Sequence, residues 1–305
     1  MLRYSLMACL VTATLFHPST IRAQGCSDAG FCTVNSFKPS QSSAGKKEFK
    51  QQVKTGVFVG TADLGVSVYG SYVEYHRQWT KKFGLDARLT SLGQRGNAVS
   101  TFGLADVLLT GTFQASKRVS ITTGVKVPLM NGGKSLNNLP LPMDYQASLG
   151  TFDLIVGLGY QLKSWHFVAA IQQPLTQNNN QFLASAYPSS SGLRSFPNTN
   201  QFQRAGDVLL RISHPIRITK QFSCTPSLLP IYHLANDRFV NASGVREDIR
   251  GSRGLTLNGN VYFDYAIGSQ HALQLNIGAP FVVRDVRPDG LTRNFIANLE
   301  YQFKF

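Results

Sequence analysis

The sequence predicts an all-β fold: an antiparallel transmembrane β-barrel of about twelve strands with short turns at one end and long loops at the other. Three observations lead there. Apolar and polar residues alternate with period two through much of the chain, as they do on a strand with one face to lipid and one to a lumen. Aromatic residues and glycine are plentiful, with 20 Phe, 11 Tyr and 27 Gly, whereas only 15% of residues are charged. The chain also ends on a strongly alternating strand whose terminal residue is aromatic.

The N-terminus reads as an export signal. Basic Arg3 precedes an apolar stretch from Leu6 to Phe16, and Pro18 to Ala23 supply a small-residue cleavage site. The predicted organisation is therefore a signal peptide over 1–23, an N-terminal segment over 24–49 and a barrel over 50–305. Leu6–Phe16 is too short to be a membrane anchor, which needs roughly 20 apolar residues. Gly25-Cys26 offers an alternative, lipid-modified start. Cys26 and Cys32 lie close together in what would be an oxidising compartment, which suggests a small disulfide loop.

Strands are expected near 50–61, 66–78, 81–92, 102–114, 118–130, 147–162, 165–176, 203–216, 220–233, 253–266, 270–283 and 292–305. Leu154, Val156, Leu158, Tyr160 and Leu162 illustrate the pattern, set against Asp153, Gly157, Gly159 and Gln161. Connections after even strands are short, such as Lys163-Ser164, and those after odd strands are mostly long, such as Gln177–Phe202. Short periplasmic turns, long extracellular loops and two periplasmic termini follow for a Gram-negative outer membrane. Trp79, Trp165, Phe83, Phe113, Tyr160, Phe222 and Tyr265 flank the short turns and trace one interfacial girdle. The last strand sets Leu299, Tyr301, Phe303 and Phe305 against Glu300, Gln302 and Lys304. It resembles the C-terminal signal that outer-membrane proteins present to the barrel-assembly machinery.

The formal charge is +14, and two of those charges, Arg3 and Arg22, leave with the signal. An exported chain does not routinely meet nucleic acid, so the basic residues read either as loop solubility or as attraction to anionic lipid headgroups and solutes. No enzyme is expected. His76, His166, His214, His233 and His271 are scattered over different strands, with no metal-ligand spacing, nucleophile motif or phosphate loop. No cofactor or metal is implied.

A repeat marks the hairpins. Even strands open with a carboxylate before an apolar trio: Asp106-Val-Leu-Leu, Asp153-Leu-Ile-Val and Asp207-Val-Leu-Leu. The odd strand that follows each one carries a proline at a nearly constant separation: Pro128, Pro174 and Pro230. Asn258 and Pro280 form a fourth pair. Chain reversal should place each polar residue across from an inward proline below the outer rim, where a missing N–H weakens pairing. On one reading the prolines end the strands and the carboxylates pair with Lys126, Arg204 or Arg211. On the other, Asp106, Asp153, Asp207, Asn258, Lys126 and Arg211 line a pocket or lateral gap at the mouth.

Gly103-Leu-Ala-Asp106, Val125-Lys-Val-Pro128-Leu129, Gly150-Thr-Phe-Asp153 and the glycine-rich 157–160 also resemble a known family. This is the outer-membrane family linked to meta-pathway phenol degradation, related to the long-chain fatty-acid channels. Those proteins carry Gly-x-Gly-Asp and Leu-Pro-Thr-Gly at similar positions; this chain has Ala105 and Leu129 where they have Gly and Thr. The resemblance spans roughly 100–280 and implies passive uptake of small hydrophobic or aromatic solutes. In the fatty-acid channels the N-terminal segment blocks the lumen, which makes 24–49 a candidate plug; a periplasmic tail is the other reading. A non-transporting barrel that serves as an anchor or binds a partner is the alternative function.

Overall fold

The computed structural model describes residues 33–39, 49–290 and 294–305. The signal peptide and the Cys26–Cys32 pair lie outside the described residues.

Twelve antiparallel strands form a closed barrel. They are β1 (Gln51–Thr61), β2 (Ser67–Gln78), β3 (Phe83–Gly96), β4 (Val99–Gln114), β5 (Val119–Pro128) and β6 (Asp153–Leu162). The circuit continues with β7 (Trp165–Pro174), β8 (Asp207–Ser213), β9 (Phe222–His233), β10 (Gly254–Ile267), β11 (His271–Val282) and β12 (Phe295–Lys304). Every strand pairs with its neighbours in sequence, and β1 pairs with β12 from Gln52↔Lys304 to Thr61↔Phe295. That seam removes the free edges an open sheet would expose. Both ends of the barrel chain therefore lie at the rim that carries the short turns.

Alternation decides which side chains face which medium. On β6, Leu154, Val156, Leu158, Tyr160 and Leu162 are exposed, while Asp153, Ile155, Gly157 and Gly159 are buried. On β12, Leu299, Tyr301 and Phe305 are exposed, with Glu300 and Gln302 buried between them. A continuous exposed apolar surface on this scale cannot face water, and it matches the hydrocarbon belt of a membrane barrel. Trp79, Phe113, Tyr160, Trp165 and Tyr265 are exposed near the short turns, and Tyr69, Phe102, Phe281 and Phe295 are exposed toward the long loops. Two girdles bound the belt, one more than the sequence indicated.

Several expected boundaries shift. β3 and β4 run on to a two-residue turn at Asn97-Ala98, with φ of 50° and 61°, where Gly-Gln-Arg-Gly had looked like loop. The strand expected from 147 starts at Asp153, and the one expected from 203 starts at Asp207. The preceding residues turn inward instead: Leu141 to Thr151 are all buried. Their backbone groups are satisfied by side chains rather than by a ladder. Gln146 Nε2 donates to Leu141 O (3.0 Å) and Lys134 O (3.1 Å). Tyr145, Phe182, Leu193 and Phe196 pack from these loops against inward Phe58, Val68 and Leu92, which closes the long-loop mouth.

The wall lapses between β8 and β9. β8 pairs with β9 at Asp207↔His233 to Leu209↔Ile231 and again from Ile212↔Leu228, with no pairing at Leu210 and Arg211. In that register they stand opposite Pro230 and Leu229, and proline has no N–H to donate.

Candidate functional site: a stoppered lumen

Three of the four predicted polar–proline pairs are direct partners in the ladder: Asp106↔Pro128, Asp153↔Pro174 and Asn258↔Pro280. A register shift at Leu257/Asn258 accommodates Pro280, the kind of irregularity that tolerates a proline. The fourth pair is a correction. Asp207 stands opposite His233, and Pro230 pairs with Leu257 on the face opposite to buried Leu229 and His233. Pro230 falls three residues short of His233, and an odd offset places its side chain on the other face of the sheet.

The carboxylates are engaged by cations. Lys126 Nζ lies 3.2 Å from Asp153 and 3.8 Å from Asp106, and Ser148 Oγ donates to Asp106 (2.5 Å). Gln172 donates to Asp153 as well. Asp207 is bonded by Arg204, and His233 lies between Asp207 (2.7 Å) and Asp237 (2.8 Å). Since each imidazole nitrogen faces a carboxylate, both carry a proton in this arrangement. Close by, Asp289 accepts from Arg284 (3.0 Å) and lies 3.5 Å from Arg204. Burial pushes the Asp289 carboxyl up, but Arg284 and Arg204 outweigh that and hold it well below the usual carboxylate range. These ion pairs knit the long loops to the wall and are not a vacant ligand pocket.

Arg211 does not pair with Asp207 as one reading expected. It points into the lumen and its Nη1 donates to Phe37 O (2.7 Å). That bond belongs to residues 33–39, which lie inside the barrel. Asn35–Phe37 makes a single 3-10 turn. Asn35 Nδ2 donates to Asp86 Oδ1 (2.9 Å), Ser36 Oγ and Thr122 Oγ1 are hydrogen-bonded (2.8 Å), and Lys38 Nζ lies 3.4 Å from Glu300. Glu300 also accepts from Tyr72 Oη (2.6 Å), whose ring carries the Arg88 guanidinium 3.5 Å from its centroid.

Phe37 itself is 1% exposed and fills an apolar socket made by Leu108, Ile155, Val168, Ala170, Leu209 and Leu229. Gly157 leaves the space: a Cβ there would stand 2.3 Å from the ring. Leu108, Ile155 and Leu209 are the middle residues of the three apolar trios, so the repeat that carries the carboxylates also builds the socket. The wall signal was present in the sequence; the partnership with Phe37 was not.

Between this stopper and the short-turn rim lies a vestibule of about 1240 Å³, reached by Asn35, Ser36, His76, Asp86 and Lys304. Among the described residues no group of three or more His, Cys, Asp or Glu side chains could hold a metal ion.

An apolar-belted barrel whose lumen is polar, stoppered at the waist and covered by loops at one mouth defines a class: the membrane-spanning β-barrels with an occluded lumen. Among solved structures, the chain is similar to an outer membrane channel from Pseudomonas putida F1, with TM-score 0.58 and 14% identity over 88% of this chain and 100% of that one. Toluene transporters align more loosely: TodX of Pseudomonas putida at TM-score 0.44 and 12% identity (92% and 95% covered), and TbuX of Ralstonia pickettii at 0.38 and 13% (85% and 90%). No protein-family model matches the sequence, and no curated protein does.

Proposed function

We propose that the chain is an outer-membrane channel for passive uptake of small solutes, hydrophobic or aromatic in character, with its short turns and both termini in the periplasm. One observation carries this reading. The waist of the lumen is closed by residues 33–39, held through a few polar contacts and one aromatic ring, and the long-loop mouth by the inward loops, so both closures can open without breaking a strand ladder of the barrel. The fold it shares with the Pseudomonas putida F1 channel supports the reading, as does the sequence resemblance to the family linked to phenol degradation.

Residues 24–49 then serve as the plug, and the described 33–39 lie inside the lumen. The lapse in the β8–β9 ladder lies beside Leu209 and Leu229 of the socket and offers apolar solutes a side route into the bilayer. Pro128, Pro174 and Pro280 shape the rim over ion-paired carboxylates. Outside the barrel, Leu299, Tyr301, Phe303 and Phe305 form the strip offered to the assembly machinery, and Arg194, Arg238, Arg246, Arg250 and Arg253, all exposed in the loops, meet anionic lipid headgroups.

A non-transporting barrel is the second reading, favoured by the loops packed into the mouth. Planar-bilayer conductance and solute flux into liposomes separate the two. The mature protein should pass little, and a form lacking 24–49 should pass more toluene and phenol. If neither form conducts ions or admits solute, the channel reading fails and the anchor reading stands.

A further inference from the structure

Phe37 occupies its socket as a ligand would. Its ring is enclosed by aliphatic side chains from β4, β6, β7, β8 and β9, and its carbonyl oxygen takes a hydrogen bond from Arg211, a guanidinium 1% exposed on the socket's edge. An aromatic ring next to an oxygen acceptor on a buried arginine is the recognition pattern for a small aromatic carboxylate, because guanidinium matches carboxylate in charge and geometry.

The approach to the socket has matching charge. Deep in the lumen Lys38, Lys54, Arg88 and Lys126 each have a carboxylate within 4 Å. The vestibule differs. Lys81 and Lys82 in the first short turn, Lys220 in the fourth and Lys304 at the end of β12 line it, and Lys117 and Arg118 in the second line an adjoining cavity that Lys304 also reaches. Among the described residues, none of these six has such a partner. Uncompensated cations around a low-dielectric mouth raise the local concentration of anions.

We infer that the Phe37 socket is a binding site for small aromatic carboxylates: the ring takes the place of the Phe37 ring, the carboxylate takes the Arg211 bond, and binding displaces the stopper. This rests on the channel reading for its role in transport, but binding itself is measurable without transport.

The test is equilibrium binding of benzoate to the detergent-solubilised mature protein, beside toluene as the neutral ring and benzylammonium as the cation. Benzoate should bind best. Phe37→Ala, which removes the resident competitor and touches no wall residue, should tighten benzoate binding about tenfold, as expected if Phe37 fills the socket about nine-tenths of the time. Gly157→Leu, which fills the socket from the wall, should abolish binding. Arg211→Met should erase the preference for benzoate over toluene and Arg211→Lys should restore part of it, both checked for folding by heat-modifiable migration. Unchanged affinity in Phe37→Ala, or toluene bound as well as benzoate, would overturn the assignment. Absence of flux alongside intact benzoate binding would instead count against transport and leave the site standing.

Discussion

Lys126→Met should destabilise the barrel by about 3–5 kcal/mol, the usual cost of removing one partner from a buried ion pair. Lys126 is 2% exposed and sits between Asp106 and Asp153, themselves 5% and 0% exposed. Methionine keeps most of the side-chain volume, so the effect reports charge. Two carboxylates would be left in a dry site with only Ser148 and Gln172 to bond them. Converting both aspartates to asparagine in the same chain should recover most of the loss, because the desolvated charges go with the lysine. Urea unfolding of the refolded protein in micelles reads both variants. A loss below about 1 kcal/mol, the scale of a solvated surface pair, would show that water reaches the cluster.

Asn180→Ala should unfasten the long-loop mouth. Asn180 is fully buried and its amide makes four hydrogen bonds: Nδ2 donates to Gly132 O and Leu141 O (both 2.9 Å), and Oδ1 accepts from Phe182 N (3.0 Å) and Thr199 Oγ1 (2.7 Å). Alanine leaves those groups buried without partners, at about 1–3 kcal/mol for each one that finds no substitute. The loops would answer by opening to water, since the strand ladders close around the barrel without them. Limited proteolysis should cut within 129–152 and 175–206 in the variant and spare the parent. Stopper and loops close the lumen in series, so Asn180→Ala combined with loss of 24–49 should raise conductance by more than the two changes added separately. Additive effects would mean that the two closures do not share one path.

What the sequence revealed and what it hid follow from range. Period-two alternation is local, so β6 and β12 could be read residue by residue, and the short-turn lengths fixed the strand count. Hairpin symmetry carried the argument one step further: Asp106 with Pro128 and Asp153 with Pro174 are true ladder partners. It failed at Pro230, where β8 is the shortest strand and the ladder partner of Asp207 lies three residues further on, at His233. The inward loop 141–151 escaped notice because its backbone groups are bonded by Gln146, Asn178 and Asn180 side chains, which leave no periodic trace. Phe37 escaped for a similar reason. A lone aromatic in a polar segment says nothing of its socket until Leu108, Ile155, Leu209 and Leu229, spread over four strands, are brought to one level by closure of the barrel. The apolar residue buried inside each Asp-led trio was the available clue, since a lumen wall filled only with water has no use for it.

The central claim is that passage requires residues 33–39 to leave the lumen, and a reversible tether tests it most directly. Ser36 Oγ and Thr122 Oγ1 are 2.8 Å apart, so cysteines at both positions should bridge the stopper to β5. The experiment uses Ser36→Cys with Thr122→Cys in a chain whose Cys26, Cys32 and Cys224 are serine, reconstituted in liposomes. Benzoate and phenol influx should be negligible when the bridge is oxidised and should return to the level of the untethered protein on reduction. Equal influx in the two states, with the bridge verified by mass spectrometry, would contradict the account.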